Sequence, residues 1–109
     1  WLYYENHDVY PFAIYEGETL VGLMELDEDL ETRTMFLWRV MIHKPHQRKG
    51  YGRAAVEKLI RLVRESGKYD ALELGCKPEN AAGMHLYRSL GFLPTGEVEH
   101  GEVSMRLNL

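Results

Sequence analysis

The sequence predicts an α/β domain built on one mixed sheet. Two amphipathic helical segments, 51–66 and 80–90, enclose a short strand-like segment at 71–76, and further strand patterns lie on both sides of this group. Strands joined by a helical crossover run parallel, whereas strands joined by a tight turn run antiparallel. Because both kinds of connection are present, we expect the order β-β-β-α-β-α-β-β with parallel and antiparallel pairs in one sheet.

The first three strands are predicted from residue alternation and turn residues. Residues 11–15 and 19–26 form a hairpin around Glu16-Gly17-Glu18, in which glycine suits the turn. Residues 34–42 are rich in aromatic and β-branched side chains and end before Pro45, which cannot donate to a strand ladder. We expect this third strand to be central.

The two helices carry start and stop signals. In residues 51–66 apolar side chains recur at helical spacing, and Gly67 supplies the C-terminal stop. Asn80 is a good N-cap for the second helix, Gly91 follows its last turn, and Phe92 can pack back on that turn.

The remaining strands complete the sheet. In residues 71–76 the even-numbered side chains share one face of a short strand, and residues 92–97 and 102–107 form a final hairpin around His100-Gly101. Nothing in the pattern suggests a second domain, so residues 1–109 are predicted to form a single domain.

Composition excludes several classes of function. The net charge of −4 argues against a general nucleic-acid binder, and no apolar run approaches the ~20 residues of a membrane span. The single cysteine, Cys76, excludes an internal disulfide, and the five histidines show no zinc-ligand spacing. We therefore expect a cytoplasmic protein without a metal.

Charge is distributed unevenly along the chain. The basic cluster comprises His43, Lys44, His46, Arg48, Lys49 and Arg53, and the acidic run comprises Glu25, Asp27, Glu28, Asp29 and Glu31. This asymmetry suits an anionic cofactor and a cationic acceptor. On charge pattern alone, however, the acidic run is more typical of a solvated hairpin tip.

Residues 47–53, Gln-Arg-Lys-Gly-Tyr-Gly-Arg, predict an anion site between the third strand and the first helix. Gly50 and Gly52 let the backbone turn with its N–H groups outward, and the helix start adds unpaired donors and a positive dipole end. A diphosphate would fit there. The spacing differs from the NAD fingerprint and from the nucleotide P-loop, so NAD and ATP are disfavoured. Taken alone, the motif is also compatible with a solvated basic turn.

A second motif, NAAGMHLYRSLGF, occupies residues 80–92. Together with residues 47–52 it closely resembles the GNAT family of N-acetyltransferases, whose pattern runs Q/R-x-x-G-x-G/A and then N-x-x-A-x-x-L-Y-x-x-x-G-F. Gly83 stands where the family usually has alanine. The resemblance implies a mixed, centrally splayed sheet flanked by helices. It also implies an N-terminally truncated member, which lacks the strand and two helices that usually precede the first hairpin.

The resemblance implies acetyl-CoA as the co-substrate. The pantetheine arm would pair, like an added strand, with the backbone of Val40, Met41 and Ile42. The pyrophosphate would be held by the segment Gln47, Arg48, Lys49, Gly50, Tyr51, Gly52 and Arg53. Asn80 would bond the arm from the other side of the cleft, a role that is compatible with capping the helix.

The same resemblance places Tyr87 at the position of the family's general acid. A thiol pKa of ~8.5 lies below the ~10 of a phenol, so a tyrosine can hold its proton until the thiolate forms. On spacing alone, Tyr87 is more typical of a core residue beside Leu86 and Leu90. The surrounding motif favours the catalytic role.

The proton acceptor for the attacking amine is left open by the sequence. An ammonium with a pKa of ~10.4 is neutral only about once in 2,500 molecules at pH 7. Glu25, Glu73 and either Glu97 or Glu99 are candidates, although each is also typical of a surface carboxylate. Cys76 could accept the acetyl group covalently, but a buried strand cysteine is the simpler interpretation.

We therefore predict an acetyl-CoA-dependent N-acetyltransferase in which a primary amine attacks the thioester directly. Trp38-Arg39 before Met41-Ile42-His43, and Thr95-Gly96-Glu97 followed by Gly101-Glu102, resemble the spermine and spermidine acetyltransferase branch, which would make the acceptor a polyamine. A peptide or protein N-acetyltransferase and a non-catalytic acyl-CoA-binding regulatory module are the alternatives. The expected partner is a small-molecule amine, and a homodimer is a further option; no nucleic acid or membrane is expected.

Overall fold

The structure is a computed structural model that describes residues 10–47 and 49–109, and these form one six-stranded sheet with two α-helices. The elements are β1 (Tyr10–Glu16), β2 (Thr19–Asp29), β3 (Thr34–Ile42), α1 (Tyr51–Ser66), β4 (Ala71–Cys76), α2 (Ala81–Ser89), β5 (Leu93–Glu99) and β6 (Glu102–Asn108). This order confirms the prediction. A short 3₁₀ turn at Lys44–His46, which the sequence reading did not include, links β3 to the segment before α1.

The spatial order of the strands is β1-β2-β3-β4-β6-β5. β3 and β4, which are joined through α1, run parallel, and every other neighbouring pair runs antiparallel. The mixed sheet is therefore confirmed. β3 lies in the interior of the sheet, as its aromatic and β-branched composition predicted.

The core lies where the helices cover the sheet. α1 contributes one apolar stripe, and the even-numbered side chains of β4 share the predicted inward face. Phe92, three residues after the end of α2, is completely buried. The buried cluster includes Val56, Leu59, Ile60, Val63, Leu72, Leu74, Cys76, Phe92 and Met105. Burying each large side chain contributes about 1.5–3 kcal/mol, so this cluster anchors α1 to the sheet, and Met84 and Tyr87 of α2 pack against it partly buried.

The predicted helix ends are confirmed by hydrogen bonds. Asn80 Oδ1 accepts from the Gly83 N–H at 3.0 Å, and Gly67, with a φ of 68°, donates to the Arg64 carbonyl. Gly91 has a φ of 105°, which a residue with a side chain rarely adopts. The Phe92 N–H then donates to the Tyr87 carbonyl at 3.0 Å, which turns the chain back onto α2.

The acidic run was expected to be a solvated hairpin tip, and this interpretation is wrong for most of it. β2 continues to Asp29, whose pairing partner in β3 is Thr34, so only Glu31 lies in the turn. Asp27 is only 2% exposed. The strand extends because pairing with β3 stabilises it more than the charges of this segment oppose it. Within the described residues, no helix is long and apolar enough to cross a membrane.

Candidate active site

The sheet opens between β3 and β4. Their registered pairs run only from Thr34 with Ala71 to Leu37 with Leu74, although both strands continue beyond these residues. A cavity of about 240 Å³ lies in the opening, which we call the strand gap. It is lined by Leu37, Trp38, Arg39, Val40, Leu74, Gly75, Cys76, Lys77, Asn80, Tyr87 and Glu102. The expected central splay of the sheet is therefore present.

The loop from β3 to α1 forms an open helix start. Gly50 is the N-cap residue with a φ of 83°, and the Ala54 N–H donates to its carbonyl at 3.0 Å. The N–H groups at the beginning of α1 therefore precede the first intrahelical bond and are available to an anion. The Gln47 side chain donates to the Ile42 carbonyl at 3.0 Å, which ties the loop to β3. Arg48 lies outside the described residues.

Gly52 leaves space beside this helix start. Among the described residues outside the helix itself, a Cβ at residue 52 would come within 4 Å of Ile42 Cγ1 alone, at 3.9 Å, so these residues leave space beside the glycine. Arg53, the next residue, donates to the Ser89 hydroxyl at 2.8 Å and pairs with Glu57 at 3.7 Å. Its side chain links α1 to the end of α2, next to the predicted diphosphate loop.

Asn80 begins the far wall of the strand gap. Its cap uses the side-chain oxygen, and the amide nitrogen is a separate donor. A Cβ at Gly83 would lie 2.5 Å from Asn80 Nδ2 and 3.2 Å from Cys76 Sγ. The departure from the family's usual alanine at this position therefore gives room to Asn80, and the two roles predicted for Asn80 are sterically compatible.

Tyr87 lies between the core and the strand gap. Its ring packs edge-on against Phe92, with centroids 5.9 Å apart, and the residue also lines the strand gap. Burial, and then the neighbouring Cys76, raise the pKa of the Tyr87 phenol above its usual value. The hydroxyl therefore stays protonated across the neutral range, which is the state that a general acid requires.

Cys76 is a buried free cysteine, 4% exposed, on the core side of β4. Burial, and then the Glu102 carboxylate, raise the pKa of its thiol. A thiol with a raised pKa is a poor nucleophile at neutral pH, because the thiolate is the reactive form. The environment thus favours the structural interpretation over a covalent acetyl carrier.

A second cavity, of about 370 Å³, adjoins the strand gap and shares Leu37, Trp38, Leu74, Gly75 and Glu102 with it. Five carboxylate side chains line this cavity: Asp27, Glu73, Glu97, Glu99 and Glu102. We call it the acid cavity. It brings a residue of the acidic run in β2 together with the acidic residues of the last hairpin, which are far apart in the sequence.

The candidate bases differ in whether they line the acid cavity and in whether their carboxylates are paired. Glu73 lines the acid cavity but its carboxylate pairs with Arg106 at 2.7 Å. Glu97 and Glu99 line the cavity as well. Glu25 instead accepts from Arg39 at 2.8 Å and does not line either cavity. Glu102 is not among the candidate bases predicted from the sequence, although the pair Gly101-Glu102 belongs to the stretch that resembles the spermine and spermidine acetyltransferase branch.

The family is settled by comparison with known proteins. The family model described as Acetyltransferase (GNAT) family matches residues 1–92. The chain belongs to this GNAT acetyltransferase family.

The described residues contain no group of three or more histidine, cysteine or acidic side chains arranged to hold a metal ion.

Two curated relatives extend over most of the chain. A probable spermine N(1)-acetyltransferase from Bacillus subtilis subsp. natto is 35% identical over 106 residues, which are 95% of this chain and 65% of the relative. A spermine/spermidine N(1)-acetyltransferase from Bacillus subtilis is 34% identical over the same shares. The resemblance to this branch of the GNAT family is therefore confirmed. The chain spans from 34% to 65% of the length of the curated relatives it matches.

Solved GNAT structures share the fold. The PaiA N-acetyltransferase of Thermoplasma acidophilum, described as a complex with coenzyme A, superposes with a TM-score of 0.77 at 18% identity, covering 94% of this chain and 62% of that one. The spermidine/spermine N-acetyltransferase SpeG of Vibrio cholerae gives a TM-score of 0.79 at 21% identity, covering 95% and 69%. The predicted GNAT-like architecture is thus confirmed.

Proposed function

We propose that this protein is an acetyl-CoA-dependent N-acetyltransferase whose acceptor is a primary amine of a polycation such as a polyamine. The observation that carries the proposal is the junction of two cavities at the opening of the sheet. The strand gap presents Tyr87 and Asn80, and the acid cavity presents five carboxylates. The thioester of acetyl-CoA, whose negative charge is on its phosphates, and a cationic amine would thus approach one point from two sides.

The strand gap fits the thioester arm of acetyl-CoA. At Val40, Met41 and Ile42 the backbone of β3 lies beyond the block that pairs with β4, so it can pair with an extended ligand there. The open start of α1 and the space beside Gly52 fit a diphosphate. When bound, acetyl-CoA supplies an activated acetyl group, and the residues of this chain orient it.

Tyr87 supports departure of the thiol. As the C–S bond of the tetrahedral adduct breaks, the sulfur becomes a thiolate that needs a proton or a hydrogen bond. The raised pKa of Tyr87 keeps its hydroxyl protonated until then. The place of Tyr87 in the wall of the strand gap is consistent with this role.

The acid cavity favours a multiply charged acceptor. Carboxylates gathered in one cleft lower the potential there and attract cations, and this effect weakens with salt because exposed charges are screened within about 8–10 Å. A polyamine can place one nitrogen at the strand gap while its other charges remain among the carboxylates. The two spermine-acetylating relatives support this choice of acceptor over a peptide amine.

The deciding experiment combines calorimetric titration with acetyl-CoA and a panel of amines followed by thiol release. We expect binding together with turnover, with kcat/KM highest for spermidine or spermine and falling as salt rises. Binding without any turnover would favour the regulatory module, and a preference for peptide or uncharged amines would overturn the polyamine assignment.

A charge test then addresses the acid cavity. The double change Glu97→Gln and Glu99→Gln should lower kcat/KM for spermidine by about tenfold, because it removes two of the charges that attract the polycation. Acetyl-CoA affinity should not change. The matched control is Glu16→Gln with Glu18→Gln, which removes equal charge around the β1–β2 turn and should leave the rate unchanged.

A further inference from the structure

Glu102 occupies the junction of the two cavities. It is the first residue of β6, and its side chain lies over Gly75 of β4, with Oε1 2.6 Å from where a Cβ at residue 75 would be. Its charge also acts on the thiol of Cys76, the next residue of β4. An exposed carboxylate therefore lies at the edge of the strand gap, over Gly75.

Glu102 differs from the other acidic residues of the acid cavity. It lines the strand gap as well, whereas the other four line the acid cavity alone: Asp27, Glu73, Glu97 and Glu99. Glu99 lies directly opposite Glu102 in the β5–β6 register and is therefore its nearest equivalent in charge and position along the hairpin. An amine that moves from the acid cavity toward the thioester meets Glu102 last.

We infer that Glu102 binds the attacking ammonium group and accepts one of its protons before attack, an inference that rests on the proposed acetyl transfer. Of the three ammonium protons, one passes to the Glu102 carboxylate and then to water. The freed nitrogen lone pair forms the N–C bond to the acetyl carbonyl, and the C–S bond breaks. A second proton leaves the nitrogen for water as the adduct collapses, and Tyr87, which gives its proton to the sulfur, regains one from water. The third stays on the amide.

Gly75 makes this placement possible. A methyl group at residue 75 would lie 2.6 Å from Glu102 Oε1 and 3.4 Å from its Cβ, so the carboxylate would have to move. Gly75→Ala keeps the charge of Glu102 but displaces it. This variant separates the position of the carboxylate from its presence.

The test compares Glu102→Gln with the wild-type chain in steady-state kinetics. For an amine whose ammonium pKa is ~10, kcat/KM should fall by about 10²-fold, the usual contribution of a positioned proton acceptor. The defect should shrink as the pH is raised. It should also shrink with trifluoroethylamine, which is far less basic and needs no proton removal at the assay pH. Acetyl-CoA affinity in calorimetry should be unchanged.

Glu99→Gln is the matched comparison. It removes the same charge across the hairpin from a residue that lines the acid cavity alone. We expect it to raise KM for polycations in a salt-dependent way while the dependence of the rate on pH and on amine basicity stays that of the wild type. Glu102→Asp, which keeps a carboxylate, should recover part of the lost rate, and Gly75→Ala should lose part of it.

Several results would overturn the inference. One is wild-type activity in Glu102→Gln; another is a loss that is equal at every pH and with every amine, which would indicate a structural role. If Glu102→Gln does not unfold cooperatively, the pH dependence of Gly75→Ala decides instead, and a wild-type profile in that variant counts against the inference. A wild-type protein that binds coenzyme A but acetylates no amine overturns the proposed function itself.

Discussion

β3 and β4 have a paired half, in which they bond to each other, and an open half, in which they separate, and the two halves differ in burial. Where Thr34–Leu37 faces Ala71–Leu74, the end residues of this block are buried and the backbones pair. In the continuation of β3 the side chains are more exposed, with Trp38 at 40% and Met41 at 44%. The first half is core, and the second half forms the walls of the strand gap.

The open half is held by the outer strands. β3 continues to pair with β2 up to Ile42 opposite Gly22, and β4 continues to pair with β6 up to Cys76 opposite Val103. Each wall therefore keeps a neighbouring strand on its outer side and faces the gap on its inner side. A sheet can open in its middle without losing its strands, provided that each separated strand keeps its other neighbour.

The largest expected effect comes from placing a negative charge at the start of α1, beside the end of β3. Gly52→Asp puts a carboxylate into the space beside the helix start, where it meets little of the protein. Repulsion between two unit charges about 4 Å apart is about 4 kcal/mol at an effective dielectric constant of ~20, which is about 10³-fold in Kd. Acetyl-CoA binding in calorimetry should disappear while thermal unfolding stays cooperative.

Ala54→Asp is the control for this change, since it adds the same charge in the first turn of α1 at an exposed residue. It should leave acetyl-CoA binding intact. Undiminished affinity in Gly52→Asp would remove the cofactor assignment from the loop between β3 and α1.

The next effect concerns the wall formed by α2. Tyr87→Phe keeps the ring that packs on Phe92 but removes the hydroxyl at the strand gap. Turnover should fall by about 10²-fold or more with little change in acetyl-CoA affinity, because the thiolate loses its acid. The rate is measured by following thiol release in stopped-flow or steady-state assays. Full activity of Tyr87→Phe would show that Tyr87 has only a packing role and is not the general acid.

A smaller effect is expected where β2 holds the open half of β3. At Gly22, a Cβ would lie 2.2 Å from the Met41 carbonyl oxygen and 3.0 Å from Ile42 Cδ1. Gly22→Ala must therefore shift β3, and the free energy of unfolding should fall by about 2 kcal/mol in urea denaturation. Gly52→Ala, whose Cβ would meet only ordinary contacts, is the control. Equal stability of the two variants would show that β3 does not need this close approach.

The smallest effect is the dependence of stability on alkaline pH. Burial raises the pKa of both Cys76 and Tyr87, so the folded chain holds these protons more tightly than the unfolded chain. Their contribution is complete below the unfolded-state pKa values of about 8.5 and ~10 and is lost as the pH rises through the folded values.

Urea denaturation between neutral pH and about pH 10.5 should show this decline beginning near pH 8.5. The double variant Cys76→Ala with Tyr87→Phe should decline less steeply across the same range. A wild-type curve that is flat across the range would contradict the raised pKa values of Cys76 and Tyr87. A double variant with the same decline as the wild type would contradict them as well.

Local signals in the sequence were sufficient for the order of the strands and α-helices, although not for the 3₁₀ turn or for the far end of β2. The alternation in residues 34–42, the cap at Asn80, and the glycines at 67 and 91 act within a few residues of where they stand, so they can be read without knowing the rest of the chain. The two motifs at residues 47–52 and 80–92 likewise identified the family, because each combines a local backbone shape with its side chains.

Only the tertiary structure decided what lies beside what. The burial of Asp27, the pairing of Glu25 with Arg39, and the placement of Glu102 over Gly75 depend on strands that are distant in sequence and adjacent in the sheet. A carboxylate in a sequence looks the same whether it will face solvent or line a cavity. Its role is set by register and by where the sheet opens, and both arise from long-range pairing that no local pattern encodes.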